Sequence, residues 1–337
     1  MSNNNIVKEK NDFIFKYQKQ DVNEKLAKIL GQDFRRYRED FHKTQDYLKT
    51  GFIPDFPITI SLELVNRCNL NCIMCYKKHH TKTHAQLSLK VLEKVMQECK
   101  DNKLPSLIIG LGAEPLVYKE IKQAMDIIHK ADIQDIFFGT NGALLTDEII
   151  ELIVKHKISR VEISLDAATS TTYNKVRRVP VLEKVEKNIE KIIACKKKYN
   201  SPLPVIRLCF VVMDINKHET ELFIEKWKDK VDYIDFQRYI DLSKIDEPTK
   251  VDQPVIKNAF CAYPFYSLNI WSDGGVSPCC SFYGKKLIFG NVHNQTLKDI
   301  WNSQAIKAIQ EQIASKKFNP ICQKCLYFRD RDLIDKL

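Results

Sequence analysis

Apolar positions recur with two different periods along this chain, and the change of period divides it. Between Asp21 and Thr50 the residues Leu26, Leu30, Phe34, Tyr37, Phe41 and Leu48 come at mostly helical steps. The spacing predicts a wholly helical N-terminal extension over residues 1–54, packed on the next domain or capping its opening; Pro54 and Pro57 end it. From residue 58 onward, short apolar runs alternate with helical patterns. Strands are predicted over 58–64, 106–111, 135–139, 160–165, 205–212 and 232–237. Helices are predicted over 88–101, 118–131, 146–156, 181–199 and 217–230, the last opened by Asn216 as N-cap with Glu219 as its N3 partner.

Strands alternating with helices argue for parallel βαβ units, and short, mostly apolar strands suit a sheet covered on both faces. Six units are too few for a closed eight-stranded barrel. The expected fold class is therefore α/β: a partial (β/α)6 TIM-like barrel over residues 55–245, open at the side toward a bulky substrate. Sites in such barrels sit at the C-terminal ends of the strands. Residues 246–337 differ in texture, with Gly274-Gly275, Gly284, Gly290 and five cysteines. Residues 246–254 read as the linker to this small C-terminal domain.

Composition changes this picture little. The chain has 337 residues, 44% hydrophobic and 28% charged, as in an ordinary globular protein. The first 20 residues lack an apolar h-region, and no run of about 18 apolar residues occurs. The expectation is a cytoplasmic protein without a membrane span. The formal net charge of +10 is spread along helices, with Lys196-Lys197-Lys198 the longest run. That fits a solvated lysine-rich surface or attraction to an anionic partner. No nucleic-acid motif is present.

The cysteines carry the chemistry. Eleven in an expected cytosolic chain point to metal binding rather than disulfides. Seven fall into patterned groups; Cys99, Cys195, Cys209 and Cys280 do not. Cys68, Cys72 and Cys75 stand in a C-x3-C-x2-C run after the first barrel strand, with Tyr76 directly behind. Three thiols at such spacing strain disulfide geometry but suit three irons of a cubane, leaving the fourth iron open for chemistry. A zinc knuckle with His79 or His80 as fourth ligand is the alternative.

The spacing, with Tyr76 behind it, resembles the radical S-adenosylmethionine superfamily. Further strand-end segments resemble that family in its order over residues 58–238. Gly112-Ala113-Glu114-Pro115 is similar to its Gly-Gly-Glu-Pro stretch, with Ala113 where a second glycine usually stands. Thr140-Asn141-Gly142 and Ser164-Leu165-Asp166 follow the third and fourth strands. The resemblance implies S-adenosylmethionine as cofactor, its ammonium group received near Gly112, Ala113 and Glu114. It also implies further contacts by Tyr76, Asn141, Ser164 and Asp166, and a one-electron reductant such as flavodoxin or ferredoxin. Arg207 shares a strand face with Cys209 and can meet a carboxylate bidentately or form a core-edge salt bridge.

Cys261, Gly274, Cys279 and a Cys322-Gln323-Lys324-Cys325 pair form a C-x12-G-x4-C element plus a CxxC. The arrangement resembles the shortened SPASM or twitch domain of many radical enzymes. The resemblance implies one auxiliary [4Fe–4S] cluster on Cys261, Cys279, Cys322 and Cys325, two clusters in all. A structural zinc site of four cysteines is the alternative. A fully ligated auxiliary cluster suits electron transfer, so the expected reaction is net oxidation of a small polar substrate of sugar, aminocyclitol or sugar-nucleotide type. Epimerisation is the alternative, with Cys209 or Cys280 as hydrogen donor; peptide modification is another. From a different class stands a non-catalytic metal- or cluster-binding module.

Overall fold

The computed structural model describes residues 6–8, 15–18, 20–79, 84–239, 259–280 and 286–326. The expected linker over 246–254, together with His80, Gly284 and the chain beyond residue 326, lies outside the described residues. The strands are β1 (Ile6–Lys8), β2 (Phe15–Gln18), β3 (Thr59–Leu62), β4 (Ser106–Ile109), β5 (Asp135–Thr140), β6 (Arg160–Ser164), β7 (Val205–Val212), β8 (Tyr233–Arg238), β9 (Ser267–Ile270), β10 (Gly275–Ser277) and β11 (Gly290–Asn291). The helices are α1 (Val22–Leu30), α2 (Gln32–Gln45), α3 (Tyr47–Thr50), α4 (Leu89–Asp101), α5 (Ile121–Lys130), α6 (Asp147–Lys155), α7 (Ser170–Arg177), α8 (Leu182–Lys198), α9 (Thr220–Trp227), α10 (Tyr263–Tyr266), α11 (Leu297–Trp301) and α12 (Gln304–Ala314).

The strands form one open sheet in the order β1-β2-β8-β7-β6-β5-β4-β3-β9-β10-β11. Strands β3 to β8 are parallel and consecutive, with helices between them. This is the expected open α/β sheet. Its helix-facing positions, among them Leu62, Leu107, Phe138, Ile163, Leu208 and Ile234, are buried in one core with residues of α4, α5, α6 and α8. Each such side chain contributes about 1.5–3 kcal/mol. The alternate positions are polar: Glu162 and Ser164 on β6, Arg207 and Cys209 on β7, and Asp235 and Gln237 on β8. The inner face is therefore no conventional apolar barrel core.

Helix starts follow local chemistry. Ser88 Oγ accepts from Val91 N at 3.3 Å to open α4, and Thr146 Oγ1 accepts from Ile149 N at 3.3 Å to open α6. The expected box between Asn216 and Glu219 does not form. Asn216 is buried and donates instead to the Asp166 and Val211 carbonyls, while Glu219 reaches across to the start of α7. Tertiary partners outbid the local cap.

Both sheet edges depart from expectation. The N-terminal extension is not wholly helical: β1 and β2 pair as an antiparallel hairpin, and β2 pairs antiparallel with β8. A six-stranded sheet would leave the outer backbone groups of β8 unsatisfied, and β2 supplies the partner. On the other edge, β9 pairs in parallel with β3, followed by antiparallel β10 and β11. The C-terminal region thus continues the barrel sheet. Helix α11 is seated on α4, where the Glu98 carboxylate accepts from Leu297 N and Lys298 N, each at 2.9 Å.

Leu26, Phe34 and Tyr37 of α1 and α2 pack with Ile58, Val205 and Tyr233, at the beginnings of barrel strands. Helices α1 and α2 of the extension thus close the N-terminal end of the barrel, away from the opening at the other end.

One glycine allows the end of β4 to approach β5. Gly110 has φ +108°, and a Cβ there would lie 2.4 Å from the Gly139 carbonyl oxygen. Gly110→Ala is expected to destabilise the protein by about 3 kcal/mol through backbone strain and this clash. A Cβ on Gly139 would meet its nearest atom at 3.5 Å, so Gly139→Ala should be mild. Urea titration of the two variants, read as midpoints, checks the difference.

Candidate active site

The loop after β3 holds the three patterned thiols, and every neighbouring strand end helps to fix it. Glu114 N donates to the Arg67 carbonyl at 3.1 Å, and Asn141 Nδ2 donates to Asn69 Oδ1 at 2.8 Å. Ile73 N donates to the Val176 carbonyl of α7 at 2.9 Å. Cys68, Cys72 and Cys75 are free thiols that line one cavity of about 320 Å³ at the C-terminal ends of the barrel strands. Tyr76, Gly112, Ala113, Glu114, Asn141, Ser164, Asp166 and Cys209 line the same cavity. Residues more than a hundred positions apart are thus brought together as expected. Met74 and Lys77 line it as well, beyond what the sequence pattern singled out.

Gly112 carries φ +72°, and a Cβ there would lie 2.8 Å from Glu63 Oε1 and 3.1 Å from the Tyr76 hydroxyl. The positive φ falls on Gly112 and not on Ala113, so the alanine methyl is accommodated without strain. Glu114 is buried, and burial pushes its carboxyl upward. Hydrogen bonds oppose that shift: Oε1 accepts from Thr140 Oγ1 at 2.7 Å and Leu116 N at 3.2 Å, and Oε2 accepts from Asn141 N at 2.7 Å. The carboxylate ties the ends of β4 and β5 together as well as facing the cavity.

The end of β6 is built differently from the sequence reading. Asp166 lies in the left-handed region at φ +61°, fully buried. Its Oδ1 accepts from Val211 N at 2.7 Å, and Oδ2 pairs with Arg177 NH2 at 2.5 Å. Arg177, at the C-terminus of α7, donates from NH1 to Cys72 Sγ at 3.4 Å. It is buried beside the cavity, with Nε lacking a partner. Burial pushes the Cys72 thiol up and the Arg177 charge draws it down. Helix α7 is anchored in turn by Glu219, whose carboxylate accepts from Ala168 N at 2.7 Å and from the Thr169 and Thr172 hydroxyls at 2.6 Å. Neither α7 nor Arg177 was singled out from the sequence. The arginine stands in a short basic run with Lys175 and Arg178, and only a helix assigned over Ser170–Arg177 would have aimed it.

Of the two alternatives for Arg207, the salt bridge is the one formed. Arg207 does share the inner face with Cys209, but two positions lower on β7. Its guanidinium pairs with Glu162 at 2.8 Å and with Asp235, and it lines a separate space near Arg160 and Tyr233. Salt bridging to carboxylates on both flanking strands uses up its bidentate face. Cys209 itself is buried, and burial holds its thiol well above the usual range.

The second thiol group lies around α10 and the helical turn over 320–326. Cys261 and Cys322 pack against the small core of Phe265, Ile309 and Ile313. Cys322 lies within electrostatic reach of Cys261 and Cys325. Cys279 and Cys280 lie near Tyr263, whose hydroxyl is hydrogen-bonded to Cys280. Asn319 Oδ1 accepts from Cys322 N at 3.0 Å, and its Nδ2 donates to Cys322 Sγ at 3.2 Å. Cys280 stands between this group and Tyr76 of the first loop.

Both thiol sets fit iron–sulfur clusters. All seven cysteines are soft donors outside any disulfide, in two groups. Among the described residues no three His, Cys, Asp or Glu side chains converge on one point, as a single ion requires; the first-loop thiols ring a cavity, and a cubane spreads its ligands over separate irons. No described helix is long and apolar enough to cross a membrane.

Comparison with known proteins agrees with this geometry. The model of the Radical SAM superfamily matches residues 62–225, and that of SPASM, an iron–sulfur cluster-binding domain, matches residues 261–326. The chain is 30% identical over 180 residues to a GTP 3′,8-cyclase of Clostridium perfringens, covering 51% of this chain and 53% of that one. The chain spans about half the length of the curated relatives it matches. Among solved structures, anSMEcpe with bound AdoMet superposes with a TM-score of 0.58 at 18% identity, over 80% of this chain and 87% of that one. SuiB of Streptococcus suis bound to S-adenosylmethionine superposes with a TM-score of 0.54 at 16% identity, over 83% and 74%.

Proposed function

We propose that this chain, a member of the radical SAM superfamily with a SPASM domain C-terminal to its barrel, oxidises a small polar substrate held against the inner faces of β6, β7 and β8. The radical SAM domain binds S-adenosylmethionine and a [4Fe–4S] cluster, and the SPASM domain binds auxiliary iron–sulfur clusters. Bound together, cluster and S-adenosylmethionine supply a 5′-deoxyadenosyl radical that takes a hydrogen atom from substrate. The observation that carries the reading is the single cavity shared by three loop thiols and the strand-end residues Glu114, Asn141 and Ser164.

The chain's own residues have distinct tasks in this reading. Cys68, Cys72 and Cys75 hold the first cluster. The Gly112–Glu114 segment, with its carboxylate and carbonyls, suits an ammonium group. Glu162, Cys209 and Gln237 line the remaining wall, which is polar and suits hydroxyl or amino groups. Cys261, Cys279, Cys322 and Cys325 would hold one auxiliary cluster, which would supply a one-electron acceptor for the substrate radical left after hydrogen loss, a proton leaving to solvent. The curated relatives named as GTP 3′,8-cyclases extend the range of substrates to test to nucleotides. The test is anaerobic reconstitution with iron and sulfide, then dithionite and S-adenosylmethionine. Formation of 5′-deoxyadenosine by mass spectrometry is the expected result; its absence with every candidate substrate overturns the proposal.

One observation favours a second outcome. Cys209 is a buried, neutral thiol on the cavity wall, beside Ser164 in the register of β6 and β7. A thiol there can return a hydrogen atom to a substrate radical, giving epimerisation in place of oxidation; the thiyl left on Cys209 then takes one electron from the one-electron reductant and a proton from solvent. Cys209→Ala is expected to leave an oxidation rate within a few-fold and to stop an epimerisation at the radical stage. Solvent deuterium in the product separates the two, since it enters only through the thiol.

A further inference from the structure

Outside the residues already assigned, one buried charge touches the first cluster loop. We propose that Arg177 sets the reduction potential of the cluster held by Cys68, Cys72 and Cys75. The inference rests on reading those thiols as the cluster's ligands, and its test separates the two.

The argument starts from placement. Arg177 NH1 donates to Cys72 Sγ at 3.4 Å, and its side chain is 8% exposed. A guanidinium stays charged when buried. Low dielectric and the absence of screening water make that charge count. Reducing the cluster adds one negative charge beside it, so the cation favours the reduced state. Hydrogen bonds to ligand sulfurs and net charge are established means of moving cluster potentials. Asp166 offsets part of the charge, but it binds NH2 while NH1 faces the sulfur, so the positive end is the one presented. Glu114, the other buried carboxylate near Cys68, is engaged by Thr140, Asn141 and Leu116.

The surrounding structure keeps this geometry fixed. Ile73 N is bound to the Val176 carbonyl at 2.9 Å, so the loop and the end of α7 move together. Glu219 holds the other end of α7 through Ala168 N and the Thr169 and Thr172 hydroxyls. Arg177 is thus a positioning residue that acts on the cluster through Cys72.

The experiment is a dye-mediated redox titration of the reconstituted holoprotein, followed by electron paramagnetic resonance, with iron and sulfide content measured on each sample. Arg177→Gln is expected to lower the reduced-to-oxidised ratio at the wild-type midpoint about tenfold, equivalent to ~59 mV for a one-electron couple. Arg177→Lys, which keeps the charge, is expected to recover most of that shift. Where Arg177→Gln leaves Asp166 uncompensated and the protein does not fold, the Asp166→Asn, Arg177→Gln double variant is titrated in its place with the same expectation. An unchanged midpoint with full cluster content overturns the proposal, as does a Lys variant as low as the Gln variant. Wild-type protein that assembles no cluster overturns the ligand reading, and this proposal with it.

Discussion

Cys68→Ala is expected to remove 5′-deoxyadenosine formation, by about a thousandfold or more, because members of a unit that acts together cannot be deleted singly. Cys68 is the cleanest of the three thiols to test. It lies exposed at the lip of the cavity, and its sulfur accepts two long bonds, from Leu70 N at 3.5 Å and from Asn141 Nδ2 at 4.0 Å. Losing it should change stability by no more than about 0.5 kcal/mol. Cys72 is a worse choice, since its removal also strips Arg177 of a partner in a buried setting. The readouts are iron content, visible absorbance and 5′-deoxyadenosine on a protein with an unchanged unfolding midpoint. Retained cleavage would remove the assignment of the loop as the cluster site.

Cys322→Ala should separate the two halves of the reaction. Cys322 belongs to the C-terminal group, packed beside Phe265 and Ile309 and close to Cys261 and Cys325. Three thiols cannot complete a four-thiolate site. With the barrel thiols untouched, 5′-deoxyadenosine should still form within a few-fold of wild type. Oxidised product should fall about a hundredfold, because the substrate radical loses its electron acceptor. The lost sulfur is expected to cost about 1 kcal/mol of stability. Product formed at the wild-type rate would make the C-terminal cluster a structural element only. Radical quenching without oxidation would appear as deoxyadenosine in excess over product.

The two variants probe sites that touch through the sheet. Glu63, directly after β3, accepts from Ser272 N at 3.2 Å and Ser272 Oγ at 2.7 Å, just beyond β9. Trp271 lies beside Gly112. The first loop and the C-terminal domain therefore share a wall, which suits an electron passing from a substrate between them.

Sequence alone determined the elements whose signal is local. The strands and helices between residues 58 and 238 repeat a period that burial on both faces imposes, and β7 falls on the predicted bounds of 205–212. The thiol spacing was legible because cluster ligation fixes short intervals, and strand-end residues were legible because a parallel sheet collects its strand ends on one side. Tertiary structure decided the rest. Strand β2 exists because β8 needed a partner, and four residues carry too short an alternation to declare it. Strand β9 joins β3 across more than two hundred residues of chain. Arg207 and Arg177 show the division most clearly. Arg207 stands alone in an apolar run and Arg177 stands beside Lys175 and Arg178, and only the carboxylates around each decide which is consumed at the barrel base and which faces the cavity. Asn216 and Glu219 spelled a helix cap, yet buried carbonyls and amides elsewhere claimed both side chains. Pattern records what a residue can do with its neighbours in sequence; desolvation inside the fold selects which partner it takes.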